Sequence, residues 1–325
     1  MKVLLVNTSD IQGGAARAAY RLHRGLQQID VESKMLVQTK VSDDFSVTTS
    51  AQSKVQKLVA RLRPILDSGP VGLYKHRTKT LFSPALFPFS SVAHRISTAN
   101  VDVAHLHWIA GGMLRIEDVA KIKKPIVWTL HDMWAFTGGC HLDGECGRYK
   151  KFCGKCPILS STRNVDLSRW ILKRKQKAWS NINITIVTPS RWLAKCASSS
   201  SLFRDRRIEV IANGLDISRY QLMDKSVARR LLSLPQDKRL ILFGAMSSTG
   251  DRNKGFQFLH PALRELAKDN WGGRVEVIVF GASEPTSPPD FGLKTSYLGR
   301  FHDDISLALL YAAADVFLAP SVQDN

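Results

Sequence analysis

The chain has 325 residues, enough to bury a full core and to divide into two domains. Hydrophobic residues make up 44% of it and charged residues 23%, which is ordinary for a globular protein, and no apolar run reaches the ~20 residues of a membrane-spanning helix. The formal net charge of +18 favours anionic partners such as nucleotide phosphates, an anionic membrane surface or nucleic acid, although a solvated basic surface would carry the same charge.

The first predicted element is a strand at Lys2–Asn7, followed by a Gly-Gly turn and a helix over Ala15–Gln27. The apolar run is short and has no small-residue cleavage site after it, so it is typical of a buried strand and not of a signal peptide. We therefore expect a cytoplasmic protein, in which thiols stay reduced.

Strands and helices alternate along the rest of the first half. Further strands are predicted at Val31–Val37, Val101–Trp108, Pro125–His131 and Asn183–Thr188. This alternation predicts a parallel sheet with helices on both faces.

The same pattern starts again after residues 216–238, which lack strand character and are predicted to connect two domains. Strands are expected at Arg239–Met246, Arg274–Gly281 and Val316–Ala319, with helices at Phe256–Lys268 and Asp303–Ala314. The fold class is therefore α/β: two doubly wound domains, 1–215 and 239–325, that face each other and bind a ligand beyond the carboxyl ends of their strands. The second domain stops where another βα unit should follow, so we expect it to be truncated.

Two glycine-containing turns follow predicted strands. Gly13 and Gly14 open the first helix, where backbone N–H groups can bind an anion, although a tight βα turn alone explains the same residues. In the second domain, Arg252 and Lys254 flank a turn that precedes a helix, and two cations there suit a diphosphate, although they are equally compatible with a solvated loop.

A histidine, His131, ends the strand "IVWTLHD" and is expected at the mouth of the first sheet. Its side chain can serve as a hydrogen-bond partner or a general base, because an imidazole titrates near neutral pH. His105 and His107 end the preceding strand, where they either join His131 or cap that strand.

Four of the five cysteines lie in an insert at residues 138–157. Cys140, Cys146, Cys153 and Cys156 have the spacing C-x5-C-x6-C-x2-C, whose closing CxxC is a good half-site for tetrahedral zinc. A structural zinc site with these four ligands is the leading interpretation, with His141 as a substitute ligand. Free or disulfide-paired thiols are a second interpretation, and other uses of the cysteines stay open.

Residues Lys54–Leu66 form a basic amphipathic stretch. Apolar residues recur at helical spacing at Val55, Leu58, Val59, Leu62 and Leu66, among lysines and arginines. This helix either packs its apolar stripe on the domain or docks on an anionic membrane surface.

The combined motifs resemble glycosyltransferase family 4, whose members have the GT-B fold and retain anomeric configuration. The resemblance covers essentially the whole chain and rests on the order and spacing of these segments: "GGAARAAYRL", "TLHD", "VTPSRWL", "VIANGLD", "KGF", "VIVFGA", "YLGRFHDD" and "LLYAAADVFLAPS". The cysteine insert is similar to that of a subset found in bacterial exopolysaccharide and lipopolysaccharide gene clusters.

The resemblance implies a role for each candidate residue. Gly13 and Gly14 would approach the donor, and His131 would contact the transferred sugar near its anomeric carbon. Arg252 and Lys254 would neutralise the departing diphosphate, so that no catalytic metal is expected. The loop 298–301 would hold the nucleotide base, with Gly299, Arg300 and Phe301 as its donor-binding residues.

Two departures from the family pattern affect the donor site. The family has an arginine directly after the glycine of the strand before the phosphate lysine; here that strand ends Gly244-Ala245-Met246, so Arg252 takes the role by position only. The first of the family's paired glutamates is replaced by Asp324, and the second would fall beyond Asn325.

The resemblance implies a retaining glycosyltransferase that uses a UDP- or GDP-sugar and a glycan or lipid-linked glycan acceptor, peripheral on the inner face of the cell membrane. A catalytically inactive nucleotide-sugar-binding relative is one alternative, and weak activity would follow from the missing donor-binding groups. A nucleic-acid-binding protein is the other, motivated by the net charge, but the basic residues are dispersed and we expect no nucleic-acid partner.

Overall fold

The computed structural model describes residues 1–51, 53–88, 90–221, 223–244, 252–271, 273–281, 283–301 and 303–323, with the side chains of 252 and 270 left out. The chain divides into two compact units, one of Met1–Gly214 and one that begins at Leu215. Each unit has its own sheet and its own hydrophobic core.

The first unit is built on a seven-stranded parallel sheet in the order β3-β2-β1-β4-β5-β6-β7. Its strands are β1 (Lys2–Ser9), β2 (Glu32–Thr39), β3 (Val47–Thr49), β4 (Val103–Leu106), β5 (Ile126–Thr129), β6 (Ile184–Thr188) and β7 (Arg207–Val210). The central strand β1 pairs Val3 with Ser33 on one side and with Val103 on the other. Chain order reverses on either side of β1, which makes the ends of β1 and β4 the switch point where doubly wound sheets bind ligands.

Helices cover this sheet. They are α1 (Gly14–Gln28), α2 (Lys54–Ser68), α3 (Val92–Thr98), α4 (Ile116–Val119), α5 (Leu167–Trp179) and α6 (Arg191–Ser198). Asp166 and Ser190 begin α5 and α6 by accepting hydrogen bonds from backbone N–H groups of the first turn, as capping residues do.

The second unit has a four-stranded parallel sheet in the order β10-β9-β8-β11. Its elements are α7 (Lys225–Leu231), β8 (Arg239–Gly244), α8 (Phe256–Leu266), β9 (Val275–Phe280), β10 (Lys294–Tyr297), α9 (Asp304–Ala313) and β11 (Val316–Leu318). Every residue of β9 is buried, because β9 lies in the middle of the sheet with neighbours on both sides.

The predicted α/β class is confirmed, and the predicted strands and helices appear with boundaries shifted by a few residues. Segment 216–238, predicted as a connection, contains α7. Ala228 of α7 is fully buried, and the Arg229 guanidinium is buried while it donates to Ala313 O and pairs with Asp315. The segment is therefore part of the second unit.

Helix α2 does not pack its apolar stripe on the unit. Val55, Leu58, Leu62 and Leu66 are exposed by 71, 59, 43 and 51% of their surfaces. The buried residues of α2 are instead Ala60, Arg63 and Asp67. The Asp67 carboxylate accepts hydrogen bonds from the backbone N–H groups of residues 85–87, and Arg63 donates to Gly112 O, so polar anchors fix the helix and leave its stripe in water. The packing interpretation is thus wrong for these four residues, whereas Val59, the fifth residue of the stripe, is half-buried.

Within the described part of the chain, no helix combines the length and the apolar character that crossing a membrane requires.

Candidate functional site

The candidate residues of the first unit gather at the carboxyl edge of its sheet. The glycine turn follows β1, His107 follows β4, and His131 follows β5 after one more residue. Only β4 separates β1 from β5, and neighbouring strands lie ~4.8 Å apart, so the ends of β1 and β5 are about 10 Å apart. The structure thus brings the predicted glycine turn and His131 to one small region.

Gly13 and Gly14 form a turn that approaches no other side chain. Gly13 has φ +95°, in the region that favours glycine, and it begins α1. A Cβ atom built on Gly14 would meet no atom within 4 Å. The first turn of α1 contains no acidic residue, and no side chain caps it. This geometry leaves room for an anionic ligand.

His105, His107 and His131 stack into a column across the ends of β4 and β5. The ring centroids are 4.5 Å apart for His105 and His107, and 5.3 Å apart for His107 and His131. His107 Nδ1 and His131 Nε2 are hydrogen-bonded at 3.0 Å, and His105 Nε2 lies 2.8 Å from Thr129 Oγ1. His107 therefore supports His131 directly, and His105 supports it through His107.

The column is neutral at physiological pH. Burial lowers the pKa of His131 to about 4, although the neighbouring Asp132 carboxylate opposes the shift. Burial also lowers the pKa of His105 to about 4 and that of His107 well below its ordinary value. A neutral His131 is a hydrogen-bond partner and a weak base, so the structure favours the first of the two predicted roles.

Asp132, the residue after His131, is the centre of a hydrogen-bond network. Its carboxylate accepts from Trp108 Nε1 at 2.8 Å, from the Trp134 backbone N–H at 2.8 Å and from His141 Nδ1 at 2.6 Å. Burial raises the pKa of Asp132, but His141 and these donors lower it more, so the net shift is downward. The network joins β4, the turn after β5 and the cysteine insert, and it fixes the backbone beside His131.

The network corrects one prediction about the insert. The sequence suggests His141 as a substitute zinc ligand, but its Nδ1 contacts Asp132 and its Nε2 lies 2.8 Å from Ser83 Oγ. Both ring nitrogens are therefore engaged, and His141 acts as a link between the insert and Asp132.

The four cysteines of the insert line one small cavity of about 20 Å³, close to the volume that one water molecule requires. All four are free thiols. Burial raises the pKa of Cys140 and Cys156 and brings that of Cys153 to about 12, so these thiols are protonated and unsuited to nucleophilic catalysis. Among the described residues, no group of three His, Cys, Asp or Glu side chains already has the arrangement that holds a metal ion.

The candidate residues of the second unit lie at the carboxyl edge of the second sheet. Lys254 ends a short 3-10 turn, Arg252–Lys254, directly before α8. Gly255, with φ +73°, follows it and packs so closely on Pro320 that a Cβ atom would overlap the Pro320 carbonyl oxygen. Because the Val322 N–H also donates to Asn253 O at 2.8 Å, the lysine turn is fixed to the chain that leaves β11.

The predicted base-binding loop follows β10 at the same edge. Gly299 has φ +70°, and its carbonyl oxygen accepts the Gly281 N–H at 2.7 Å, which ties the loop to the end of β9. Arg300 is exposed, whereas Phe301 packs edge-to-face on Phe280 with centroids 6.4 Å apart. Phe301 therefore shapes the loop from the inside, and backbone groups and Arg300 remain on its outer side.

Two predicted donor-binding groups lie outside the described atoms. They are Asp324 and the side chain of Arg252.

Sequence reasoning missed Asp10, which lies just before the glycine turn. Asp10 is fully buried and accepts hydrogen bonds from the backbone N–H groups of Ile11, Val41 and Ser42. A carboxylate between a buried strand and a Gly-Gly turn is the signal that could have revealed it.

Each unit is an α/β domain built on a parallel sheet, with glycines and charged or imidazole groups at the carboxyl edge of that sheet. These features define the chain as a protein of the GT-B fold class. Residues 12–219 match the family model of Glycosyltransferase Family 4, and the chain belongs to this family.

One relative and two solved structures are similar to this chain. WcaC of Escherichia coli K12, named as a colanic acid biosynthesis glycosyl transferase, is 27% identical over 233 residues, which cover 67% of this chain and 55% of WcaC. The chain thus spans about half the length of that relative. Anabaena HepE in complex with UDP and glucose superposes with a TM-score of 0.57 at 13% identity, over 99% of this chain and 75% of HepE. WaaG, a glycosyltransferase involved in lipopolysaccharide biosynthesis, has a TM-score of 0.52 at 14% identity with the same coverage.

Proposed function

We propose that this chain transfers a sugar, with retention of anomeric configuration, from a UDP- or GDP-sugar to a lipid-linked polysaccharide precursor. The observation that carries the proposal is that family motifs lie at the carboxyl edges of the two sheets. His131 and the glycine turn share this edge in one unit, and Lys254 and the loop 298–301 share it in the other. Because HepE has been solved with UDP and glucose, UDP-glucose is the first donor to test.

We assign to Lys254 the binding of the diphosphate of the sugar donor. Gly255 and Pro320 hold its backbone in a close-packed turn, so the lysine stem starts from a fixed position. A cation beside the leaving group stabilises the negative charge that develops as the glycosidic bond breaks. With Arg252 as the second cation, the proposal assigns no step to a catalytic metal.

His131 is assigned to the transferred sugar. Its neutral imidazole can hydrogen-bond to a hydroxyl group without placing a positive charge beside a cation-like sugar centre, which a protonated histidine would do. Asp132 and the histidine column hold the ring and its backbone in place. This pre-organisation reduces the entropy that the enzyme must lose to orient the donor.

A melting-temperature screen against UDP-, GDP- and ADP-sugars tests donor binding, since a ligand that binds only the native state raises that temperature. Lys254→Met should weaken binding of the selected donor about 10- to 100-fold, the effect of losing one charge-assisted contact. Lys268→Met is the matched control, because Lys268 is an exposed lysine of the same unit that pairs with Glu265.

Transfer to membrane-extracted glycolipid, followed by the anomeric configuration of the product, tests the reaction itself. Donor binding without turnover would indicate a catalytically inactive relative. Equal binding by Lys254→Met and Lys268→Met would refute the role of Lys254.

The exposed stripe of α2 supports an acceptor at a membrane. We call the exposed residues Val55, Leu58, Leu62 and Leu66, together with Lys54, Lys57 and Arg61, the α2 surface. An apolar stripe flanked by cations suits the interface of an anionic bilayer, where each cation contributes about 1 kcal/mol near the surface. The α2 surface would then hold the first unit at the membrane that contains the lipid-linked acceptor.

Vesicle co-sedimentation tests this docking. The chain should bind vesicles of phosphatidylcholine and phosphatidylglycerol more tightly than vesicles of phosphatidylcholine alone, and Leu58→Gln with Leu62→Gln should reduce binding. Ile305→Gln, which changes a similarly exposed aliphatic residue of α9, is the control. Equal binding to both vesicle types would eliminate the α2 surface as an electrostatic docking site.

A further inference from the structure

The cysteine insert contains a cluster of thiols that the transfer reaction does not use. Cys140, Cys153 and Cys156 are buried and Cys146 is partly exposed, yet all four line the same cavity. Cys140 forms an isolated β-bridge with Phe82, and the other three lie further along the insert, so only the folded insert assembles all four. A cavity of about 20 Å³ that four cysteines line offers the ligand number of tetrahedral zinc.

The backbone around the cavity is shaped to bring the segments of the insert close together. A Cβ atom on Gly138 would overlap the Ser168 carbonyl oxygen, and one on Gly154 would overlap the Asn164 carbonyl oxygen. Gly154 has φ +124°, a conformation that favours glycine. The insert is thus closely packed against the chain that leads into α5, and the cavity is not a gap in a loose loop.

Backbone N–H groups act on two of the sulfur atoms. Burial raises the pKa of the Cys153 and Cys156 thiols, and the Gly138 N–H, for Cys153, and the Ile158 and Leu159 N–H groups, for Cys156, oppose that shift. Donors aimed at a sulfur stabilise negative charge on it, which is what a metal-bound thiolate requires from its surroundings.

The other polar groups near the cavity are already engaged. His141 uses both ring nitrogens, and the Asp143 carboxylate accepts the Gly147 N–H at 2.9 Å, which shapes the turn that carries Cys146. Lys175 is fully buried and donates to the carbonyl oxygens of Trp134 and Thr137, so its ammonium group is engaged as well.

We propose that Cys140, Cys146, Cys153 and Cys156 bind one structural zinc ion in this cavity. Four S–H bonds lose their protons to solvent, four Zn–S bonds form with a Zn²⁺ ion from solution, and no oxidation takes place. Because no three metal-binding side chains are yet in ligand geometry within the described ranges, the thiols must turn inward on binding, and the ion closes the site. The metal braces the insert that reaches Asp132 through His141, so zinc stabilises the backbone beside His131.

Metal content of the full chain, purified under reducing conditions without chelator, tests the proposal. Elemental analysis should find one zinc ion per chain. Cys153→Ser and Cys140→Ser should lower zinc affinity at least about tenfold, whereas Cys196→Ser, a control in α6, should leave the zinc content unchanged. Zinc-free wild type, or zinc that persists at full occupancy in both variants, would overturn the proposal.

A second measurement covers the case in which the cysteine variants fail to fold. Wild-type chain freed of metal by chelation should bind Co²⁺ with the sulfur-to-cobalt absorption and the intense visible bands of tetrahedral thiolate coordination, and Zn²⁺ should displace it. Absence of these bands, or detection of disulfides or iron in the chain as isolated, would refute a zinc site. Neither readout depends on a sugar donor, so the result is independent of the proposed transferase activity.

Discussion

The stacked histidine column makes the stability of the first unit sensitive to mild acid. His105 and His131 each have a folded pKa of about 4 because burial disfavours the imidazolium. In the unfolded chain each titrates near about 6.5. The folded pKa is depressed, so the unfolded chain binds more protons between these values. The contribution of these two histidines to the free energy of unfolding is fully present above pH ~6.5. It is lost as the pH falls from there towards about 4.

The size of the effect follows from the two pKa values. Lowering the pH from 7 to 5 should reduce the free energy of unfolding by about 2 kcal/mol for each of the two histidines. His107 adds to this loss, because its pKa is also depressed. Carboxylates contribute little over this window, since most of their titration lies at lower pH.

Urea unfolding of the wild type and of His105→Gln at pH 7 and pH 5 measures this loss. Glutamine can keep a hydrogen bond to Thr129, so the variant should lose about 2 kcal/mol less than the wild type over this pH interval. His76→Gln, at an exposed histidine, should behave as the wild type. NMR titration should show the His131 ring still neutral at pH 5. A His131 midpoint near 6.5, or equal pH dependence in the wild type and His105→Gln, would refute the reasoning.

Three further substitutions separate stability from ligand binding. Gly14→Ala meets no neighbouring atom and should leave the melting temperature unchanged or higher, yet weaken donor binding measured by calorimetry; unchanged affinity would exclude a ligand close to this turn. Gly255→Ala combines φ +73° with an overlap on Pro320 and should cost more than about 1–2 kcal/mol in chemical denaturation, and a neutral result would contradict the packed lysine turn. Asp132→Ala leaves His141 and two N–H groups without their acceptor and should cost about 3–5 kcal/mol, measured in the same way; a loss below about 1 kcal/mol would show that the network is dispensable.

Interior strands could be predicted from the sequence because they are apolar along their whole length. In β1, residues Val3–Val6 are all buried, and in β9 every residue is. Such continuous apolar runs can be predicted as buried strands without knowing which helices pack on them. The edge strands β3, β7 and β10 have polar, partly exposed residues, so nothing in their composition separates them from loops. Helix α7 was not predicted either, because it is short and mostly polar.

The candidate site was predictable where a motif fixes its own backbone. A Gly-Gly turn after a buried strand and a Lys-Gly turn before a helix each predict a position at the end of a strand, and parallel topology brings such ends to one edge. The partners of each group were not predictable. The sequence allows His105 and His107 to cap their strand, and it allows His141 to bind a metal ion. The packing of β4, β5 and the insert instead places His107 against His131 and His141 against Asp132.

The sequence by itself determined the alternation of strands and helices, the two glycine turns and the order of motifs that belongs to the family, because these depend on residues close together in the chain. Only the tertiary structure decided that the stripe of α2 stays in water, that three histidines are stacked and neutral, and that four cysteines of the insert line one cavity. Those properties depend on which distant residues become neighbours, and local periodicity contains no information about that choice.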